Sequence, residues 1–490
     1  MNAPTAGGTV HVSPLADIPL LGRRAIAEVT DRPELGTVPA PRRPLPPADR
    51  RADPIDWGSV VLLRRRAAAE ISDRAQHHRE EYGRPMPEAD RQVMGRAVIR
   101  QTVRAHAEQL QATGRELWHL DLEEAYIRAV SHAVFGYGRW QPLFDIADAE
   151  NIEIHGCDSV IVQYGDGRRV PHPPVADSDE ELVEAIRFLG EQARPSRPFD
   201  DAHPTMTLAL GNRHRLHAIG FGLAYRPSVT IRQHLLTEVT LPDLVTGGML
   251  PENVARFLHA SVLARQSIVI SGDQGAGKTT LLRALIAAIP PTERFGTLET
   301  DYELLTHLLP GRRNMLALQA RVGQGEVQDG RHLGEVTVAD LIPEALRQNL
   351  SRIIVGEVRG AEAGAMFESM QAGAGTMSTT HSHSAASTMD RLAARVARGG
   401  VVTMEEAFRQ IAHNISLFVH VTLLDDTWRG GTRRRLVSEV RQVTGALENG
   451  RPVTHLAWHV DPSGRSSGFR PDPSLLPMLM PYMTAWQEPR

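Results

Sequence analysis

Apolar residues at helical spacing first appear after about the fiftieth position of the chain. Residues 1–54 are rich in proline and arginine and have no apolar period, which is typical of a disordered tail. In residues 55–116, Val60, Leu63 and Ile71 recur on what would be one helix face. This pattern predicts a helical segment. We interpret it as an ordinary hairpin with solvated charged faces rather than a dedicated partner-binding module.

In residues 117–240, segments with apolar residues at helical spacing are mixed with short segments in which apolar and polar residues alternate. Helices are predicted over 121–135 and 180–192, and the alternating runs between turns such as the one at 165–167 predict strands. A small α+β domain is therefore expected here. Residues 241–251 follow as a turn-rich linker with the composition of a hinge.

From residue 252 to residue 462 apolar strands alternate strictly with helical patterns. This alternation predicts an α/β domain with a mainly parallel sheet covered on both faces. An antiparallel hairpin is expected to close the domain, and residues 463–490 are left as a C-terminal tail. The predicted strands are 267–271, 294–299, 351–358, 376–380 and 418–424, and the predicted helices are 278–289, 338–347 and 360–370.

Composition narrows the classes of protein to consider. A hydrophobic content of 41% is typical of globular domains, and a net charge of −4 argues against wholesale nucleic-acid binding. The single cysteine, Cys157, cannot form an internal disulfide, which favours a reducing compartment. No leader is expected at the start, and no apolar stretch reaches the roughly 18 residues of a spanning helix. We therefore expect a cytoplasmic protein with only peripheral membrane contact.

A glycine-rich loop links the predicted strand 267–271 to the helix that starts at Lys278. Its sequence, Gly-Asp-Gln-Gly-Ala-Gly-Lys-Thr-Thr, is a complete phosphate-binding motif in the strand-loop-helix context that this chemistry needs. Glycines let backbone amides turn towards a β-phosphate, Lys278 should bridge the β- and γ-phosphates, and Thr279 should offer its hydroxyl to Mg²⁺. Lys278 is also the only lysine among 54 basic residues. The predicted nucleotide-binding residues are Gly272, Gly275, Ala276, Gly277, Lys278, Thr279 and Thr280.

Acidic residues and a histidine end three of the predicted strands. Glu357 would lie at the carboxyl edge of the sheet beside the phosphate loop, where it could bind metal or polarise water. Glu299 is followed by Asp301 and Glu303, and each of the three could bind metal, activate water or only solvate a loop. His381 suits a sensor of the γ-phosphate, although a histidine at such a position is often structural.

Four motifs occur in an order that resembles a known superfamily. They are the phosphate loop, the acidic stretch 299–304, the run Arg-Ile-Ile-Val-Gly-Glu-Val-Arg-Gly at 352–360 and Ser-Thr-Thr-His at 378–381. They look like the Walker A motif, Asp box, Walker B motif and His box of the secretion-ATPase superfamily. The branch they resemble most is the CpaF/TadA-like ATPases of tight-adherence (Flp) pili. The similarity extends over about residues 151–460.

The resemblance also nominates two arginines outside the phosphate-loop domain. Arg215 lies in a segment similar to a family run that ends in Arg-Val-His, and Arg232 matches a family Thr-Ile-Arg. The resemblance implies that both reach a nucleotide at a domain or subunit joint. The candidate catalytic residues are Lys278, Glu299, Glu357, His381, Arg215 and Arg232, and the candidate metal ligands are Thr279 and Glu357.

For the whole molecule the resemblance implies a RecA-like P-loop NTPase domain behind the α+β domain and the helical segment. It implies a homohexameric motor that hydrolyses ATP with Mg²⁺ and acts on inner-membrane platform proteins of a pilus or secretion apparatus. The protein would lie at the inner face of the cytoplasmic membrane, and no specific nucleic-acid partner is expected.

The chain also departs from the family pattern. Thr300 stands where the family has an aspartate, so the metal-supporting role of that aspartate is absent or moved to Asp301. Residues 349–352, Asn-Leu-Ser-Arg, replace the usual Arg-Pro-Asp-Arg. The alternatives are a type IV secretion or conjugation ATPase and a nucleotide-binding regulator with impaired hydrolysis. A DNA translocase is disfavoured by the acidic balance.

Overall fold

The computed structural model describes residues 55–114, 118–193, 196–321, 323, 327–328, 331–360, 362–372, 375–398, 402–461, 463–484 and 486. The tail predicted over residues 1–54 lies outside the described residues. Among those described, no helix is both long enough and apolar enough to cross a membrane.

Thirteen α-helices are found in the part of the chain that the structure describes. They are α1 (Trp57–Tyr82), α2 (Glu88–Ala112), α3 (Leu120–Phe135), α4 (Gln141–Phe144), α5 (Asp179–Gln192), α6 (Leu241–Thr246), α7 (Glu252–Leu263), α8 (Lys278–Ala287), α9 (Val338–Leu346), α10 (Glu362–Ala372), α11 (Ala385–Arg398), α12 (Met404–Asn414) and α13 (Leu476–Met483).

Sixteen strands are found in the same ranges. They are β1 (Ala149–His155), β2 (Val160–Tyr164), β3 (Arg169–His172), β4 (Thr205–Leu210), β5 (His214–Ile219), β6 (Ser228–Gln233), β7 (Ile268–Gly272), β8 (Phe295–Glu299), β9 (Met315–Gln319), β10 (Val327–Gln328), β11 (Arg331–His332), β12 (Arg352–Val355), β13 (Met377–Thr380), β14 (Leu417–Asp425), β15 (Arg433–Glu448) and β16 (Arg451–His459).

The helical segment is a three-helix layer rather than a hairpin alone. The Asp56 side chain caps α1 by accepting hydrogen bonds from the amides of Gly58 and Ser59. Helix α3 packs on α1 and α2, so that apolar residues from all three form one buried cluster. The helical spacing of the sequence thus predicted the helices, and the third helix supplies the face against which the pair packs.

A six-stranded antiparallel sheet follows, with strand order β3-β2-β1-β6-β5-β4. Ser178 caps α5, whose Leu182 and Ile186 are fully buried against one face of this sheet. The antiparallel pairing of β5 with β6 places Arg215 directly opposite Arg232. Two arginines that the sequence nominated separately are therefore neighbours on adjacent strands.

An eight-stranded sheet with order β16-β15-β14-β7-β13-β12-β8-β9 carries the phosphate loop. Its strands from β14 to β9 are parallel, and β15 and β16 extend it as an antiparallel hairpin. One buried cluster lies between this sheet and α6, α7, α8 and α13, and a second lies between the opposite face and α9 to α12. The predicted α/β class with a mainly parallel, doubly covered sheet is confirmed.

Residues 241–251 differ from the turn-rich hinge that their composition predicted. Thr240 and Asp243 form a capping box, and Pro242 at the first turn suits a helix start, so α6 forms. Leu241 and Leu244 are buried in the core that also contains α8. The linker is therefore packed against the phosphate-loop domain. The domain boundaries themselves stay predictions.

Candidate active site

The phosphate loop leaves β7 at the centre of the parallel sheet and enters α8 at Lys278. Gly275 and Gly277 have φ angles of 74° and 99°, in the left-handed region that favours glycine. A Cβ atom at Gly272 would lie 2.3 Å from the carbonyl oxygen of Val421 on β14. The loop can therefore pass this close to the neighbouring strand only because glycine occupies these positions.

Lys278 lies under the loop and is 8% exposed. Its Nζ donates hydrogen bonds to the carbonyl oxygens of Gly272 at 3.0 Å and Asp273 at 2.8 Å, and it lies 3.3 Å from Nδ1 of His381. Burial lowers the pKa of the Lys278 amine to about 8; the Glu357 carboxylate opposes this shift and the Arg232 charge adds to it. A ligand with negative charge at this position would favour the protonated amine.

Glu357, two residues beyond β12, is held by His381 and Arg359. Its Oε1 lies 2.8 Å from Nε2 of His381, and its Oε2 accepts a hydrogen bond from Arg359 at 2.6 Å. Burial raises the pKa of Glu357, but His381 and Arg359 outweigh burial and lower it to about 2. The carboxylate is thus charged at any physiological pH, and His381 bridges it to Lys278.

Glu299 ends β8 in a different environment. The side chain is 3% exposed, and its Oε1 accepts hydrogen bonds from the amides of Glu303 and Leu304 at 2.9 and 2.8 Å. Its buried Oε2 has no hydrogen-bond partner in the described part of the chain. Burial raises the pKa of Glu299 to about 7, although the two amides oppose the shift. Such a carboxyl group is poised to take up or release a proton near neutrality.

Arg215 reaches from β5 to the loop that follows β8. Its guanidinium pairs with Asp301, at 2.5 Å, and with Glu303. The family resemblance implies that Arg215 reaches a nucleotide, whereas in this structure Arg215 neutralises Asp301 and Glu303. Since the Glu303 amide also binds Glu299, Arg215 supports the loop that orients that carboxyl group.

Arg232 lies beside Arg215 but makes no ion pair with any described carboxylate. Burial lowers the pKa of Lys278 and the pKa of Arg283, and the positive charge of Arg232 lowers both further. This places a second cation near the phosphate loop from the antiparallel sheet. An anionic group between the two sheets would relieve the repulsion between these cations.

A narrow cleft joins four of the candidate residues, Arg215, Thr279, Glu299 and Glu357. Its volume is about 20 Å³, close to that of one water molecule. It is lined by Arg215, Thr279, Glu299, Thr300, Asp301, Glu303, Leu304, Gly356, Glu357 and Arg359. A Cβ at Gly356 would lie 2.9 Å from Cγ of Glu299, so this glycine leaves room for the buried carboxyl group. The structure thus brings Glu299, Glu357 and Thr279 together.

The donors at this cleft fit Mg²⁺ with a nucleotide triphosphate. Mg²⁺ prefers oxygen ligands and is commonly held by one or two carboxylates together with substrate phosphates. The Thr279 hydroxyl and the Glu357 carboxylate are such oxygens. Glu299, whose buried Oε2 has no hydrogen-bond partner among the described residues, lines the same cleft. Within the described residues, no group of three or more histidine, cysteine, aspartate or glutamate side chains could hold a metal ion.

The remaining predicted residues frame the loop. Ala276 is buried in the core, and Thr280 is half-buried on the first turn of α8. His383, two positions after His381, is exposed, and its Nδ1 lies 3.3 Å from the exposed Asp273 carboxylate.

Two arginines on β15 touch the phosphate loop and were missed by sequence reasoning. Arg435 donates a hydrogen bond to the carbonyl oxygen of Gly275 at 2.8 Å, and Arg433 lies beside it. Both also pair with Glu150 on β1. Arg433 and Arg435 are two apart in a predicted strand, which puts them on one face. That spacing was the only signal available, and it does not show what the face meets.

Comparison with known proteins identifies the family. Residues 196–423 match the family described as "Type II/IV secretion system protein". The conjugal transfer protein TrbB of Rhizobium radiobacter is 30% identical over 264 residues, which cover 53% of this chain and 73% of TrbB. Rv3659c of Mycobacterium tuberculosis H37Rv, provisionally named for conjugal transfer, is 29% identical over 347 residues. These residues cover 69% of this chain and 92% of Rv3659c. The protein VirB11 of Agrobacterium fabrum is 37% identical over 126 residues, which cover 26% of this chain and 34% of VirB11. The chain therefore belongs to the type II/IV secretion system protein family, a family of secretion and conjugation ATPases.

Proposed function

We propose that this protein hydrolyses ATP and uses the energy to drive a secretion or pilus apparatus. The observation that carries the proposal is the meeting of Lys278, Glu299 and Glu357 at one edge of the parallel sheet. Ligands bind at this edge in open α/β sheets, and these are the groups that phosphoryl transfer to water requires.

Each residue at this edge has a separate task in the proposed reaction. The loop amides and Lys278 would hold the β- and γ-phosphates, while Thr279 and Glu357 would hold Mg²⁺. When bound, the metal ion would neutralise charge that develops on the phosphate oxygens. Glu299 would accept a proton from the attacking water through its free Oε2, and His381 would hold Glu357 in place beside Lys278.

The proposed motor is a homohexamer that closes the antiparallel sheet over the nucleotide. Arg232, which has no carboxylate partner among the described residues, would reach the phosphates on closure, and Arg215 would follow if its two acids released it. We propose that the ring works at the inner face of the cytoplasmic membrane on platform proteins. In the narrower form of this proposal the chain powers a tight-adherence pilus, as CpaF/TadA-like ATPases do.

A second candidate function is conjugal transfer or type IV secretion. The names of TrbB and Rv3659c favour it, because both refer to conjugal transfer. Gene neighbourhood separates the two functions. Neighbouring genes for prepilin-like proteins and two polytopic platform proteins would support the pilus, and genes for a conjugation channel would support transfer.

Phosphate release by the purified full chain tests hydrolysis. Lys278→Ala should lower turnover by at least about a hundredfold, because it removes a charge that stabilises the transition state. Lys278→Arg should fail as well, since a planar guanidinium cannot replace a compact ammonium under this loop. Arg256→Ala, on the exposed face of α7, is the control and should be normal. Normal turnover by Lys278→Arg would contradict the proposed role of the lysine.

Assembly has its own test. Turnover per chain should rise with protein concentration as rings form. Mixing Lys278→Ala subunits into the wild-type protein should depress activity by more than simple dilution. If mixing only dilutes the activity, each subunit works alone. No phosphate release by the wild-type protein, even with its platform partner, would support the nucleotide-binding regulator instead.

A further inference from the structure

A cluster of three partly buried charges, Glu150, Arg433 and the 25% exposed Arg435, connects the antiparallel sheet to the phosphate loop. The carboxylate of Glu150 on β1 pairs with Nη1 of Arg433 at 2.8 Å and with Nη2 of Arg435 at 2.5 Å. The side chains of Glu150 and Arg433 are only 14% and 7% exposed. Desolvation makes buried ion pairs a poor source of stability, so their presence calls for another explanation.

At one end the cluster holds the loop itself. While one arm of Arg435 binds Glu150, its Nε donates to the carbonyl oxygen of Gly275 at 2.8 Å. The Cδ atom of Arg435 also lies 3.3 Å from where a Cβ of Gly277 would stand. Fixing the Gly275 carbonyl fixes the plane of the next peptide, and hence the direction of the Ala276 amide.

At the other end the cluster holds the strand that positions Arg232. Glu150 directly precedes Asn151, which is paired with Arg232 between β1 and β6. A side-chain hydrogen bond from Asn151 to Gln163 ties the same point to β2. The position of Glu150 therefore determines where the backbone of Arg232 lies relative to the phosphate loop.

We propose that Glu150 and Arg435 are positioning residues for a bound nucleoside triphosphate. They set the orientation of the phosphate loop and the approach of Arg232 to it at the same time. This inference rests on the proposed function only in requiring that the loop binds a nucleotide. Neither residue is assigned contact with the ligand, and each acts through the loop or through Arg232.

The test compares two glutamates of β1. Glu150→Gln keeps the shape of the side chain and removes the charge that pairs with both arginines. Glu153→Gln is the matched control, because Glu153 pairs only with Arg169 at an exposed site. Affinity for a fluorescent ATP analogue in the full chain should fall roughly tenfold in Glu150→Gln and stay unchanged in Glu153→Gln.

A double-mutant cycle separates positioning from stability. If Glu150 acts through Arg232, Glu150→Gln should cost much less affinity in an Arg232→Ala background than in the wild type. Equal losses in the two backgrounds would overturn the link to Arg232. Equal affinity of Glu150→Gln and wild type would overturn the proposal as a whole.

Hydrogen exchange of residues 273–278 without nucleotide gives a readout independent of ATP binding. Exchange should quicken in Glu150→Gln but not in Glu153→Gln. Arg435→Lys keeps a cation for Glu150 but loses the fork that also reaches Gly275, so it should loosen the loop as well. Arg435→Lys also tests the inference if Glu150→Gln fails to fold. Unchanged exchange in both variants would overturn the inference. If the wild type bound no ATP, the proposed function would fail, and exchange of residues 273–278 alone would still decide whether Glu150 and Arg435 orient the loop.

Discussion

Strands β8 and β12 are parallel neighbours, and β8 ends in Glu299 while Glu357 lies two residues after β12. The structure surrounds the two carboxyl groups in opposite ways. Burial raises the pKa of Glu357, but its contacts with His381 and Arg359 outweigh burial and lower it to about 2. Glu299 meets backbone amides of its own loop in a buried site, and burial raises its pKa to about 7. One group is a permanent anion, and the other can exchange a proton.

The difference shows how one sheet edge separates two tasks. A permanent anion suits a metal ion or a fixed cation, whereas a group with a pKa near neutrality suits proton transfer. In the sequence the two residues look alike, since each ends an apolar run. The separation comes from side chains contributed by other elements, namely His381 after β13 and Arg359 in the loop after β12.

The largest expected effect is loss of turnover when either carboxylate is neutralised. Glu299→Gln and Glu357→Gln should each lower the rate of phosphate release by about a hundredfold or more while ATP still binds. Only Glu357→Gln should also raise the Mg²⁺ concentration needed for half-maximal binding of the nucleotide. Glu344→Gln, at an exposed site on α9, is the control. Equal Mg²⁺ requirements in the two variants would erase the proposed division of tasks.

The pH dependence of turnover sharpens the comparison. Because Glu299 must be ionised to accept a proton, the rate should fall as the pH drops through about 7. Glu357, with a pKa of about 2, remains charged over this range and should add no limb to the profile. The residual activity of Glu299→Gln should lack the acid limb. A variant that kept this limb would assign it to another group.

A smaller effect is expected at Arg215. Glu303 raises the pKa of Glu299, and Arg215 neutralises Glu303. Arg215→Gln should therefore move the acid limb to higher pH and slow turnover at pH 7 severalfold. Arg213→Gln is the control, because Arg213 is exposed and lies just before β5, the strand that carries Arg215. A loss of rate without any shift of the limb would place Arg215 on the phosphates rather than on the acids.

The smallest effect concerns thermal stability, where the two glutamine variants should differ in sign. A raised pKa means that Glu299 favours the folded state below about pH 4.5 and that this contribution is lost as the pH rises through 7. Compared with the wild type, Glu299→Gln should therefore have a higher Tm at pH 8, and this difference should be a few degrees larger than at pH 5. Glu357 has a lowered pKa and contributes stability above pH 4.5, so Glu357→Gln should lower Tm at both values. Thermal unfolding followed by circular dichroism measures both; parallel shifts would contradict the assigned environments.

Local patterns predicted what depends on neighbouring residues in the chain. The apolar run of β7, the glycines and the start of α8 identified the phosphate loop, and strand-helix alternation identified the sheet class. The sequence also placed Glu357 at the carboxyl edge of the sheet beside that loop and Glu299 at another strand end, and in the structure both line the cleft with Thr279. Their roles in the reaction stay predictions.

Contacts between distant segments were beyond such patterns. Glu150 and Arg435 are 285 positions apart, and nothing in either stretch indicates the other. The pairing of Arg215 with Asp301 and Glu303 depends on how the antiparallel sheet meets the loop after β8. Helix α6 was missed because Pro242 and the two glycines just after the helix, Gly247 and Gly248, dominate a short segment. Thr240 and Asp243 nevertheless carried the capping signal.

The burial of the lone lysine has a practical consequence for covalent chemistry. Apart from the α-amino group, Lys278 is the only primary amine of the chain, and its pKa of about 8 leaves part of it unprotonated, hence nucleophilic, in mildly alkaline solution. A reagent that acylates only amines therefore has a single side-chain target in this chain. That target lies beneath the loop proposed to hold phosphates, so the extent of acylation reports how open the loop is without any engineered label.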